Sequence, residues 1–120
     1  MICKCKIENV NEEEVTINID RIIITGFCNS STTKKPGTNC LVELQFFDKL
    51  IFEESEQKEE KICRIGSTYE YMITGRLDVD NLMLYSSINF ELEKEDIFDS
   101  GYLDGKWVDV KVPRIDLDFI

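Results

Sequence analysis

Apolar and charged side chains alternate from the first residue: Met1, Cys3, Cys5 and Ile7 hold the odd positions, Lys4, Lys6 and Glu8 the even ones. A period of two marks a strand with one buried face, because successive side chains point to opposite sides. The stretch EVTINIDRIIITGF continues the pattern with Val15, Ile17 and Ile19, then runs Ile22-Ile23-Ile24. That run predicts a central strand, buried on both faces or interrupted by a bulge. NSSTTKKPGTN, residues 29–39, is dense in turn formers and predicts an exposed loop. CLVELQFFDKLIFEES keeps Val42, Leu44 and Phe46 in phase and loses the phase near Asp48-Lys49, as a bent strand or a tight hairpin would. EESEQKEEK, residues 53–61, has no apolar side chain with which to bury a face and reads as a solvated turn or loop.

The second half carries a hairpin pattern. Tyr69, Tyr71, Ile73, Gly75, Leu77 and Val79 alternate, Asp80-Asn81 tolerate the positive φ of a turn, and Leu82, Leu84, Ile88 and Phe90 return. Gly75 inside a strand predicts a bend or a close backbone approach, as at a barrel corner. EKEDIFDSGYLDG is an acidic connection with room for one helical turn near Glu93 to Phe98. In KWVDVKVPRIDLDFI, Val108, Val110 and Val112 give way across Pro113 to Ile115, Leu117 and Phe119. Proline has no N–H for a sheet ladder, so Pro113 belongs at an edge, a bulge or the join of two strands. With no sustained helical period and no crossover helix, the chain reads as mostly β. The expected architecture is a single domain, residues 1–120, of six to eight strands with at most one or two short helices. It is either an antiparallel β-barrel or a two-sheet β-sandwich.

Composition narrows the function. The chain has 24 acidic residues against 14 basic ones and no histidine, a formal net charge of −10. Such a field repels phosphate backbones and anionic lipid, so no nucleic-acid or membrane partner is expected, and a basic protein partner is favoured. No signal-peptide pattern or membrane-length apolar run is present, and the odd count of five irregularly spaced cysteines makes a poor disulfide framework. A cytoplasmic location is the expectation, in which the sequon Asn29-Ser30-Ser31 has no consequence.

Neither a cofactor nor an enzymatic activity is expected. Cys3 and Cys5 have one residue between them, no second close pair exists among Cys28, Cys40 and Cys63, and histidine is absent, so zinc-ligand spacing is not met. Two cysteines on one strand face read instead as small core side chains, with redox chemistry as a lesser alternative. Nucleophilic catalysis lacks its usual histidine base. The pairs Asp78/Asp80 and Asp116/Asp118 would each share a strand face and read as solvent-facing polarity. Tyr69, Tyr71 and Tyr85 could stack bases, but the positive groove that this mode needs is missing.

The remaining signal is clustered acidity. Between the predicted strands, Glu91, Glu93, Glu95, Asp96, Asp99 and Asp104 are interleaved with Phe98 and Tyr102, and Trp107 follows. Carboxylates steer a basic partner, and aromatic anchors supply affinity. In this general character the chain resembles the small acidic immunity proteins of contact-dependent inhibition and polymorphic toxin systems. The resemblance implies an antitoxin-like inhibitor that binds a cognate toxin domain, often a basic nuclease. ITGRLDVDNLMLYS followed by GKWVDVKVPRIDL also resembles, in shape alone, a small Greek-key barrel of the oligonucleotide-binding (OB-like) kind. A different reading is a non-catalytic adaptor or structural subunit that assembles through β-edges or through its apolar C-terminus, DLDFI.

Overall fold

A computed structural model describes residues 1–29 and 34–120. Within them the chain forms eleven strands: β1 (Ile2–Asn11), β2 (Glu14–Ile19), β3 (Ile22–Phe27), β4 (Asn39–Phe47), β5 (Ile51–Glu54), β6 (Lys61–Arg64), β7 (Tyr71–Asp78), β8 (Met83–Tyr85), β9 (Asn89–Glu91), β10 (Trp107–Val112) and β11 (Arg114–Phe119). That exceeds the six to eight expected. The pattern concealed breaks where turns are made by residues that do not usually make them. The expected central strand is a hairpin: Ile19 pairs with Ile22, and Asp20 and Arg21 take positive φ values of 49° and 73° between them. A two-residue loop of that hand matches the twist of its strands. The Asn18 side chain accepts the Arg21 N–H at 2.8 Å. Ile22 and Ile24 point inward, whereas Ile23 is half exposed, so the isoleucine run is not buried on both faces. The turn after β7 likewise differs from expectation, its positive φ falling at Leu82 rather than at Asp80 or Asn81.

Barrel and sheet both occur. Strands β1-β2-β3-β11-β4 close into a barrel, while β5-β10-β7-β8-β9, with β6 also on β7, form a second sheet. All pairings are antiparallel except the single parallel bridge of β11 to β3. Taken in chain order, the barrel strands run 1-2-3-5-4, the OB-like arrangement, and the second sheet is inserted between the fourth and the fifth. The inward residues Cys5, Ile7, Val15, Ile17, Ile24, Val42, Leu44, Ile115 and Leu117 fill the barrel and continue into one core with Tyr71, Ile73, Leu77, Leu84, Phe90 and Val108 of the sheet.

The chain changes layers at two points. Between Phe47 and Ile51 it turns through Asp48, whose φ is 68°, and β5 pairs with β10 rather than folding back on β4, so the phase change marks a bend and not a hairpin. At Pro113 it passes from β10 in the sheet to β11 in the barrel, the join expected there. The C-terminal segment is a barrel strand lying between β3 and β4, with Phe119 opposite Val42 and the Ile120 N–H donated to the Leu41 carbonyl. It is therefore spoken for within the chain.

The inserted sheet reaches the β2–β3 hairpin near Glu14, Thr25 and Phe27. Tyr71, 2 % exposed, receives the Thr25 N–H on its hydroxyl at 2.7 Å. Beside it, Tyr69 meets the edge of Phe27 at a centroid distance of 5.8 Å, and Arg64 bonds Glu14 at 2.8 Å. Replacing Tyr71 by phenylalanine strands a buried N–H, and should cost about 1–3 kcal/mol in urea unfolding. A smaller change would mean that water reaches Thr25.

Candidate partner-binding surface

The segment between β9 and β10 owes its shape to two short turns of 3-10 helix, Lys94–Ile97 and Gly101–Leu103. The expectation of one helical turn near residues 93–98 is thus met, and a second follows it. Asp96 caps the first turn: its carboxylate accepts the Glu93 N–H at 2.9 Å while its own N–H bonds the Glu93 carbonyl at 3.0 Å. Ile97 and Leu103, 5 % and 1 % exposed, anchor the turns in the core. These two anchors leave the next side chains outside. Phe98 is 86 % exposed and Tyr102 73 %, the two most exposed of the large hydrophobic residues described.

Two clefts flank the first turn. One, of about 600 Å³, is lined by Asp48, Lys49 and Leu50 from the bend after β4, and by Lys94, Glu95, Asp96, Phe98, Asp99 and Ser100. The other, of about 340 Å³, lies between barrel and sheet and is lined by Met1, Glu43, Leu44, Gln45, Phe46, Phe90, Glu91, Glu93 and Asp96. Four carboxylates face this narrower cleft, and the Met1 amino group sits 3.8 Å from that of Glu91. Asp96 lines both.

The residues singled out from the sequence therefore divide. Glu91, Glu93, Glu95, Asp96, Phe98 and Asp99 surround the two clefts. Tyr102 is exposed on the second turn and lines neither. The Asp104 carboxylate accepts the Val79 N–H at 2.9 Å and so tethers the end of β7. Half-buried Trp107 lies on the sheet face away from the core, opposite Arg76, which is in turn opposite Tyr85. Sequence reasoning missed Glu43, Gln45, Phe46 and the 48–50 bend, which the change of sheet after β4 brings against the acidic turns; the loss of phase at Asp48-Lys49 was their only signal.

Other candidates have local roles. Asp78 accepts hydrogen bonds from the Asn81 side chain, the Asn81 backbone and the Tyr85 hydroxyl, which hold its carboxyl below the usual range. Asp116 pairs with Arg114 at 2.7 Å, and the Arg114 guanidinium stacks over Phe27 and Phe47 at 4.1 and 3.8 Å. Tyr69, Tyr71 and Tyr85 form no common platform: Tyr71 is buried, Tyr69 packs on Phe27, and Tyr85 is on the second sheet. No group of three or more potential metal ligands converges among the described residues. Nor is any described helix long and apolar enough to cross a membrane.

Against known proteins, all 120 residues match the model of a family described as "Uncharacterised conserved protein UCP019853". The chain belongs to this family. No curated protein and no solved structure gives a match. The family assignment thus covers both barrel and inserted sheet as one sequence unit, residues 1–120.

Proposed function

We propose that the chain is a non-catalytic, cytoplasmic binding protein that engages a basic protein partner through the acidic turns between β9 and β10. In the antitoxin-like form of this reading, the partner is a toxin domain whose active surface is occluded. The observation that carries the proposal is the pairing of Phe98 and Tyr102, 86 % and 73 % exposed, with the carboxylates of Glu93, Glu95, Asp96 and Asp99. Exposing an aromatic ring to water on an anchored turn costs hydrophobic free energy, and a partner that covers the ring recovers it. The carboxylates would accelerate encounter and select for basic surfaces, while the rings would slow dissociation. Nucleic acid is disfavoured by the net charge of −10, and the Glu14 and Phe27 end of the outer face of β2 and β3, a face that OB-like barrels use for oligonucleotides, is taken up by Tyr69 and Arg64.

The test uses the tagged chain as bait in a lysate of its own cells, followed by affinity measurement with the retained partner. Glu95→Lys and Asp99→Lys together should reduce association and flatten its salt dependence. Phe98→Ala should weaken binding roughly 30-fold or more, as loss of a central aromatic anchor does. These positions are chosen because Asp96 also caps the turn. Unchanged affinity in both variants would move the interface elsewhere.

The adaptor reading is favoured by one observation, the outer edge of β5, unpaired among the described residues, where Ile51 is 52 % exposed. Unpaired edges template strand addition. Concentration-dependent self-association abolished by Ile51→Lys would decide for it.

A further inference from the structure

Cys5 and Cys40 face each other across the β1–β4 seam that closes the barrel. They are direct partners in the register, and their Sγ atoms lie 3.8 Å apart as free thiols. The flanking bonds define the kind of site. Leu44 N–H bonds the Met1 carbonyl at 2.8 Å and Ile7 N–H bonds the Thr38 carbonyl at 2.9 Å, so alternation along the ladder makes Cys5–Cys40 a hydrogen-bonded pair too. Partners in such pairs have Cα atoms about 5.5 Å apart, inside the range that a disulfide spans, but Cβ atoms at the wide end of about 4.5–5.5 Å, beyond the roughly 3.5–4.5 Å of an unstrained disulfide. Closing the sulfurs from 3.8 Å to about 2.0 Å therefore draws the two strands together, and the strained bond is readily reduced.

The surroundings decide which thiol reacts first. Both side chains are on the inward face of the seam, Cys5 in the core and Cys40 packed against it but partly exposed, so a small external disulfide reaches Cys40. Lys4 and Lys6 lie on the opposite face of β1.

We propose that Cys5 and Cys40 are a reversible cross-strand redox pair, oxidised by a low-molecular-weight disulfide that reaches Cys40. Cys40, the more exposed of the two, loses its proton and attacks one sulfur of the external disulfide, releasing the first small thiol. Cys5 then loses its proton and attacks the Cys40 sulfur, releasing the second. Two protein thiols are oxidised to one disulfide, and one external disulfide is reduced to two thiols, which carry away both protons. In the reduced chain, burial and then the hydrogen bond with Cys40 push the Cys5 thiol up to about 12, which leaves the first attack to Cys40. Exchange in the reverse direction restores the pair. This inference is independent of the partner-binding reading.

The experiment incubates the full chain with oxidised glutathione, alkylates the remaining thiols, and maps the peptides by mass spectrometry before and after dithiothreitol. The expected result is a dominant Cys5–Cys40 crosslink that the reductant removes. Cys40→Ser should abolish it, and Cys5→Ser should leave a stable glutathione adduct on Cys40. Adducts confined to exposed Cys63, a crosslink through Cys3 instead, or a Cys5 that remains fully alkylatable would each overturn the proposal.

Discussion

Replacing Phe90 by alanine is expected to lower the free energy of unfolding by about 3–5 kcal/mol, the usual cost of removing a buried aromatic ring. Phe90 is 2 % exposed, pairs across the sheet with Leu84, and lies with its ring centroid 5.2 Å from that of Phe46. The two rings belong to different layers, Phe46 to the barrel and Phe90 to the inserted sheet. Its loss therefore removes both transfer free energy and part of the adhesion between them. It also enlarges the cleft that Glu43, Glu91 and Glu93 line. Urea unfolding followed by fluorescence and far-ultraviolet circular dichroism provides the check. Coincident transitions shifted to lower denaturant are expected for one cooperative unit, and Phe90→Leu should recover most of the loss. A change below about 1 kcal/mol would mean that neighbouring side chains collapse into the space.

Gly75→Ala is the second large effect, and its sign separates two lines of reasoning. In a strand interior, alanine should stabilise relative to glycine by roughly 0.5–1 kcal/mol, because the unfolded glycine has more freedom to lose. The structure reverses this. Gly75 sits where β6 leaves one edge of β7, with Lys61 opposite Thr74, and β8 arrives on the same edge, with Tyr85 opposite Arg76. The buried Ser86 hydroxyl fastens the junction by donating to the Thr74 carbonyl at 2.7 Å. A Cβ on Gly75 would fall inside van der Waals contact with the Tyr85 carbonyl oxygen, a backbone atom that cannot rotate away. Overpacking of this kind costs typically 1–3 kcal/mol and here should reach about 3 kcal/mol, because backbone must shift. Thermal unfolding of Gly75→Ala against wild type reads the sign directly. A raised Tm would show that the fork relaxes without cost. Gly26→Ala should behave similarly, since its Cβ would lie 2.6 Å from the Ile115 carbonyl oxygen where β3 meets β11.

These residues also illustrate how far the chain could be read before its fold was known. The alternation of Cys5 with Ile7, of Val15 with Ile17 and Ile19, and of Val108 with Val110 and Val112 identified side chains that are buried, because a strand's period of two is local. Pro113 marked a strand join for an equally local reason, its missing N–H. Asp20-Arg21 and Leu82 were not legible as turns, since arginine and leucine seldom accept positive φ and do so here only because the strand pairs on either side hold them. Gly75 was read as a bend or a close backbone approach, as at a barrel corner; the approach is to Tyr85 on the neighbouring strand β8 of the inserted sheet, not in the barrel. At the candidate surface the acidic and aromatic composition of residues 91–104 was visible, while the contribution of Glu43 and of the 48–50 bend depended on a contact between segments some 45 residues apart, too distant for any local pattern to report.

By itself the sequence determined that the chain is mostly β, which face of most strands is buried, and that its surface is strongly acidic; each follows from neighbouring residues or from summed charge. Only tertiary structure decided that barrel and sheet coexist, that the C-terminal strand closes the barrel, and that Tyr71 of the inserted sheet reaches Thr25 of β3. It also decided that Phe98 stands in water while Ile97 is anchored beside it, and that Cys5 meets Cys40. The physical reason is register: alternation states that a strand has two faces, but pairing between distant segments selects its neighbours and therefore what each face meets.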